Sequence, residues 1–174
     1  MSEGRRMRGM RCGVLTASDR VSRGAGANDS GQYLVDTLGA RGAEIVVHVT
    51  VPDDLDTIAR TLADMADTLG VDLVLTTGGS GVAGRDVTPE ATLRVVERQV
   101  PGIPEAARVA TAARSPLAAL SRAVAGIRGH TLIVNLPGSP KAVREWMDVL
   151  LPILPHAVEL LQNRPLEWGR EHQA

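Results

Sequence analysis

"DLVLTTGGSGVAGRDVTPEAT", Asp72 to Thr92, changes character twice. Asp72–Thr77 is a β-branched apolar run of the kind that forms a buried strand. Thr88-Pro89-Glu90 reads as a helix start, with Thr88 as N-cap and Pro89 at the first helical position. Between them lie Gly78, Gly79, Gly81 and Gly84, beside the Arg85-Asp86 pair. Strand, bare loop and helix start are the turn of an α/β unit, and the same alternation repeats on both sides.

Upstream, "CGVLTA" (Cys12–Ala17) and "EIVVHVTV" (Glu44–Val51) read as strands. The stretch "SGQYLVDTLGARG" places Tyr33, Leu34 and Leu38 on one side of a helix that Gly42 stops. Asp29 or Ser30 is expected to cap it. "DDLDTIARTLADMADTLG" spaces Leu55, Ile58, Leu62, Met65 and Leu69 at helical intervals. Downstream, "AVAGI" (Ala123–Ile127) and "TLIVNL" (Thr131–Leu136) flank the tight Arg128-Gly129-His130 connection and read as an antiparallel pair. "TPEATLRVVERQV" is a helix. "SPKAVREWMDVLLPILPHAVELLQ" is one helix to about Leu150 and another from about Pro152. The Ala-rich "EAARVATAARSPLAAL" reads as helix, turn, helix. The pattern predicts a three-layer, doubly wound, mostly parallel sheet with helices on both faces and one antiparallel strand. A single domain over residues 11–165 is expected, after a disordered basic N-terminus (1–10) and before a tail (166–174).

Composition removes several function classes. The 174-residue chain carries a net charge of −1, 44% hydrophobic and 22% charged residues, which suits one soluble globular domain. A nucleic-acid binder carries a basic excess, and base-stacking platforms need aromatics; here aromatics are 2%, with no Phe. Cys12 is the single cysteine and sits in an apolar strand, so it reads as a buried side chain in a reducing cytoplasm. No apolar run reaches membrane-span length, and "MSEGRRMRGMR" lacks the apolar region of a signal peptide. His48, His130, His156 and His172 show no metal-ligand spacing, and no nucleophile elbow is present.

The loops at the carboxyl ends of the strands hold the remaining candidates. Gly79, Gly81 and Gly84 fit G-x-G-x-x-G, but the loop follows the third strand and the helix starts only at Thr88-Pro89, so this is not a dinucleotide fingerprint. It is a backbone cradle feeding a helix N-terminus, a place for anionic oxygens. Asp86 beside such a cradle reads as a Mg²⁺ ligand that bridges to phosphates. It reads equally as the ion-pair partner of Arg85, or as a turn-former. Asp53 in "VPDD" has the same ambiguity, and either Asp53 or Asp54 caps the next helix. "NLPGSPKA" (Asn135–Ala142) repeats the plan: Pro137-Gly138 turn, Ser139 cap, Pro140 first in the helix. Lys141 stands where the helix dipole disfavours a cation, which suggests either an anion partner or plain solvation. Ser18, Asp19 and Arg20 form a third polar loop at the same edge. With no nucleophile and base in view, the chemistry left is positioning and charge neutralisation, as in phosphoryl or nucleotidyl transfer.

"LTTGGSGVAGRDVTPEAT", "NLPGSPKAV", "SDR", "VPDD" and "LSRAVAGI", all within Arg11–Gln162, resemble the MogA/MoaB family of molybdenum cofactor biosynthesis. Ser80 stands where that motif usually has Thr. The MogA branch is the more similar. The resemblance implies a molybdopterin adenylyltransferase that uses ATP and Mg²⁺ and releases pyrophosphate. The alternative is a MoaB-like molybdopterin binder without transfer. By motif it implies Asp53 and Asp86 as the catalytic, Mg²⁺-binding aspartates. It implies Gly78, Gly79, Ser80 and Gly81 as the phosphate cradle, with Ser18, Asp19 and Arg85 nearby. It assigns Ser115, Arg122, Asn135, Pro137, Gly138, Ser139 and Lys141 to substrate binding. It also implies a cytoplasmic homotrimer that acts on small molecules, without nucleic acid or membrane partners, and hands its product to a molybdenum-inserting protein.

Overall fold

The computed structural model describes residues 7–163. Its order is β1 (Arg11–Ala17), α1 (Asp19–Ser22), α2 (Asp29–Ala40), β2 (Glu44–Val51), α3 (Leu55–Asp67), β3 (Leu73–Thr77) and α4 (Thr88–Val95). There follow β4 (Arg98–Gln99), α5 (Gly102–Ala112), a 3-10 turn (Pro116–Leu120), β5 (Ala125–Arg128), β6 (Thr131–Leu136), α6 (Pro140–Leu150) and α7 (Leu154–Leu161). The sheet order is β2-β1-β3-β6-β5-β4. β2, β1, β3 and β6 are parallel, and β5 runs antiparallel to both its neighbours. The expected doubly wound, mostly parallel sheet with one reversed strand is thus present.

The two-residue period of the strands divides the apolar residues between two helix layers. Cys12, Val14, Leu73, Leu75, Leu132 and Val134 face α2, α5, α6 and α7, where Leu34, Ala107, Trp146 and Val158 cover them. Leu15, Val74 and Ile133 point the other way, onto Ile58, Leu62, Ala91 and Val95 of α3 and α4. Burial pushes the Cys12 thiol up to about 12, and Asp72 adds to the shift. It is an inert core side chain.

Register sets the ligand edge. Thr16 pairs with both Thr50 and Thr77, and Thr77 with Leu136, so four parallel strands end side by side. The chain leaves β1 toward β2 on one side and returns to β3 on the other. The crevice between β1 and β3 is therefore the switch point where such sheets bind ligands.

Several local expectations are corrected. The helix expected over "TPEATLRVVERQV" ends at Val95, and Arg98 and Gln99 from its last turn instead form an added, exposed edge strand, β4, paired to β5. Asn28, not Asp29 or Ser30, caps α2, its side chain accepting from Gly31 N. Asp54 caps α3, which frees Asp53. Thr88 is the first residue of α4 rather than its cap, because its hydroxyl donates to Gly78 O instead. Leu69 lies past the end of α3 and is exposed. The second half of the Ala-rich stretch is the 3-10 turn, and α7 starts at Leu154. The packed unit also begins before Arg11: Met7 and Met10 are buried in the core, and Met7 N donates to Arg41 O. Residues 1–6 of the expected N-terminal arm and the tail 166–174 lie outside the described residues.

Candidate active site

The glycine loop leaves β3 and turns back on itself. Gly78 (φ +91°) and Gly79 (φ +63°) sit in the left-handed region. A Cβ on Gly78 would lie 2.2 Å from Ala17 O, and one on Gly79 would lie 2.5 Å from Thr88 Oγ1. Only glycine fits at both. Thr88 N donates to Gly79 O (3.0 Å) and Thr88 Oγ1 to Gly78 O (3.0 Å), which ties the loop to the start of α4.

Asp86 closes the far end. Its Oδ2 accepts from Ala83 N (2.9 Å), and its own N–H donates to Ala83 O (2.9 Å). No ion pair joins it to Arg85 among the described residues. Of the three readings the sequence left open, the turn-former is present and the Arg85 pair is not. Asp53 is held by a reciprocal pair of bonds: Asp19 N donates to Asp53 Oδ2 (2.9 Å) and Asp53 N to Asp19 Oδ1 (3.0 Å). Ser18 caps the short α1 by accepting from Val21 N, and its N–H donates to Val51 O. The β1 and β2 loops are thereby locked together.

The loop after β6 lies against the glycine loop. A Cβ on Gly138 would be 3.3 Å from Gly78 Cα. Three hydroxyls hold its carbonyls: Thr77 Oγ1 donates to Pro137 O (2.6 Å), Ser80 Oγ to Leu136 O (3.1 Å) and Ser30 Oγ to Gly138 O (2.8 Å). Ser139 caps α6 and Pro140 opens it, as the sequence predicts. Lys141 is exposed in the first turn and forms no ion pair among the described residues.

Two cavities meet here, sharing Gly79, Asp86 and Gly138. The first, about 350 Å³, is mostly polar; Ser18, Asp53, Gly78 and Arg85 line it. The second, about 450 Å³, is more apolar; Ser80, Gly81, Ser115, Pro137, Ser139 and Lys141 line it. Asp19, Arg122 and Asn135 line neither. Asp19 supports Asp53. Asn135 is fully buried on the Ile133 face of β6, where Nδ2 donates to Thr76 and Thr92 hydroxyls and Oδ1 accepts from Val124 N. Arg122 bonds to carbonyls of the glycine loop and to Glu90, and this bonding holds the Glu90 carboxyl below its usual range.

Sequence reasoning did not single out Asn28, Ser30 and Thr77 in the polar cavity, or Thr111, Leu117 and Trp146 in the other. The last three come from elements whose sequence shows only core or Ala-rich helix. In sequence Ser30 reads only as a cap candidate for α2, and Asn28 is a polar residue of the segment that joins β1 to that helix.

The fold defines a doubly wound α/β domain, a class in which ligands bind at the carboxyl edge of the sheet. Residues 13–156 match the family described as "Probable molybdopterin binding domain", and the chain belongs to that family. It is 41% identical to the molybdopterin adenylyltransferase of Helicobacter pylori (strain ATCC 700392 / 26695), covering 95% of this chain and 96% of that protein. It is 40% identical to the Escherichia coli K12 protein of the same name, covering 95% and 92%. Among solved structures, the molybdopterin biosynthesis enzyme MoaB of Thermus thermophilus superposes with a TM-score of 0.83 at 45% identity, covering 90% of this chain and 98% of that one.

Proposed function

We propose that this chain is a molybdopterin adenylyltransferase, which moves AMP from ATP to the terminal phosphate of molybdopterin and releases pyrophosphate. Relatives carrying that name match nearly its whole length. The observation that carries the reading is the pair of adjoining cavities with a common wall at Gly79, Asp86 and Gly138. Group transfer between two substrates needs two such sites in contact.

An oxygen of the pterin phosphate forms the new bond to the α-phosphorus of ATP. The bond from that phosphorus to the β-bridging oxygen breaks, and its electron pair leaves with pyrophosphate. No covalent enzyme intermediate is needed. The chain's task is to bring two polyanions together. The N–H groups of Gly78, Gly79, Ser80 and Gly81 donate to phosphate oxygens. Ser115, Ser139 and Lys141 bind substrate in the less polar cavity, beside the Pro137-Gly138 turn. Ser18 and Arg85 border the polar one.

Asp53 and Asp86 fit Mg²⁺. Each spends one carboxylate oxygen on a backbone N–H, and neither Oδ1 has a hydrogen bond among the described residues. Among the described residues no third acidic, His or Cys group joins them in a metal-holding cluster, and two carboxylates suit an ion that completes its shell with phosphates and water. When bound, Mg²⁺ supplies charge neutralisation between the two phosphate groups. We also assign the chain to the cytoplasm as a homotrimer passing its product to a molybdenum-inserting protein, which the resemblance supports. No helix of the described residues is long and apolar enough to cross a membrane.

Incubation with ATP, Mg²⁺ and molybdopterin tests the reaction. Pyrophosphate and adenylyl-pterin are expected in equal amounts. Tight molybdopterin binding without pyrophosphate would replace this reading with a binding protein.

A further inference from the structure

We infer that Arg122 and Glu90 form a positioning clamp that aims the backbone amides of the glycine loop at the anionic substrate. The inference rests on the reading of that loop as a phosphate cradle. Arg122 grips the loop from behind, lining neither cavity while the residues it holds do. Its backbone N–H donates to Ser80 O (2.8 Å), Nε to Gly81 O (2.6 Å) and Nη2 to Asp86 O (2.7 Å). The remaining face of the guanidinium is taken by Glu90, through Nη1 to Oε1 and Nη2 to Oε2. Glu90 is in the first turn of α4, so the clamp joins the loop to the helix it feeds.

Peptide planarity turns this into direction. The N–H of each peptide points opposite to its C=O. With the carbonyls of Ser80, Gly81 and Asp86 drawn to the arginine, the N–H groups of Gly81, Val82 and Val87 are turned away from it. No acceptor among the described residues takes the N–H of Gly81 or Val82. Gly81 lines the less polar cavity, where its unpaired N–H can meet an acceptor from a ligand, whereas Val82 lines neither cavity and is exposed. Stability is a weak reason for the clamp: the Arg122 and Glu90 side chains are 39% and 44% exposed, and such ion pairs contribute little. The fork geometry matters more, since one planar cation reaches two carbonyls and a carboxylate together. A lysine cannot reproduce that.

Arg122→Lys and Glu90→Gln test the clamp, with two readouts. Amide hydrogen exchange at Asp86 and Thr88, whose N–H groups donate to Ala83 O and Gly79 O within the loop, is expected to quicken in both variants, with melting temperatures near wild type. Single-turnover pyrophosphate release from ATP and molybdopterin is expected to slow by about tenfold to a hundredfold in both, as misaimed contacts do. Glu90→Gln is decisive. If Arg122 contacts substrate charge directly, removing its competing carboxylate leaves transfer unchanged or faster, and the clamp is refuted. Wild-type exchange at both amides in both variants refutes it as well. If wild-type protein releases no pyrophosphate at all, the adenylyltransferase reading fails, and the exchange measurement still decides the clamp.

Discussion

Two loops leave neighbouring parallel strands, β3 and β6, and both enter a helix with proline near its start, yet they are built differently. The glycine loop gets its shape from backbone freedom: Gly78 and Gly79 hold positive φ, and a distant arginine holds its carbonyls. The Leu136–Ser139 loop has no positive-φ residue, and hydroxyls of Thr77, Ser80 and Ser30 hold its carbonyls. In both, carbonyls are spent on the protein itself. The difference lies in charge. Only the glycine loop carries a carboxylate into the shared wall of the two cavities. Under the proposed function, the comparison puts the charge that acts on the transferred phosphate on the glycine loop and leaves the other loop to shape the cavity and hold substrate.

The largest effect expected from this division is on Asp86→Asn. The amide keeps an oxygen for Ala83 N, so the turn and the fold survive. Losing a preorganised charge that matters most as the α-phosphorus is attacked slows kcat by about 10²–10³. Asp53→Asn behaves alike, and because Asp54 rather than Asp53 caps α3, helix capping does not account for that loss. Single-turnover pyrophosphate release measured beside thermal melting checks both. Folded variants with wild-type turnover would remove both aspartates from the chemistry and leave the transfer to other residues of the site.

Much of this was legible in sequence because the signals are periodic. Alternating β-branched runs marked five of six strands, and the glycine loop and its twin stood out by composition. What escaped depended on contacts between distant residues. β4 has two polar residues and no apolar pattern to read. Asn28, Asp29 and Ser30 offer nearly equivalent capping chemistry in sequence; Asn28 caps the helix while also engaging Thr16, Thr50 and His48. Asn135 looked like a loop residue of its motif, but the two-residue period of β6 turns it inward beneath Thr92. The carbonyl partners of Arg122 have no side-chain signature at all.

Smaller effects sharpen the contrast in backbone demands. Gly78→Ala meets Ala17 O at 2.2 Å in a left-handed conformation, so a loss of at least about 2 kcal/mol in unfolding free energy is expected. Gly138→Ala meets Gly78 Cα at 3.3 Å without that backbone penalty, and about 1 kcal/mol or less is expected. Equal losses in denaturant titration would erase the distinction between the loops. Thr77→Val keeps shape but leaves the Pro137 carbonyl without its donor, for about 1–3 kcal/mol. A neutral Thr77→Val would mean that hydroxyl anchoring does not set the second loop.

The smallest effect concerns the wall of the polar cavity and depends on pH. Asn28 joins that wall and caps α2, while its Nδ2 donates to Thr50 Oγ1 and to His48 Nε2 (3.1 Å). That contact needs a neutral His48 with Nε2 unprotonated. Burial lowers the His48 pKa below its ordinary 6.5. The unfolded chain therefore takes up the proton first as pH falls, so this contribution is whole above about pH 6.5 and declines as pH drops toward the lower folded-state value. His48→Gln does not titrate there and should flatten this part of the stability profile between about pH 7 and 5, by a small amount because His48 is solvent-exposed. Melting curves of both proteins across that range, taken with pyrophosphate release at each pH, separate a local contact from one that shapes the cavity. If the profiles superimpose, the His48–Asn28 contact carries no pH-dependent stability. If stability changes while release stays constant, the contact supports α2 without shaping the cavity.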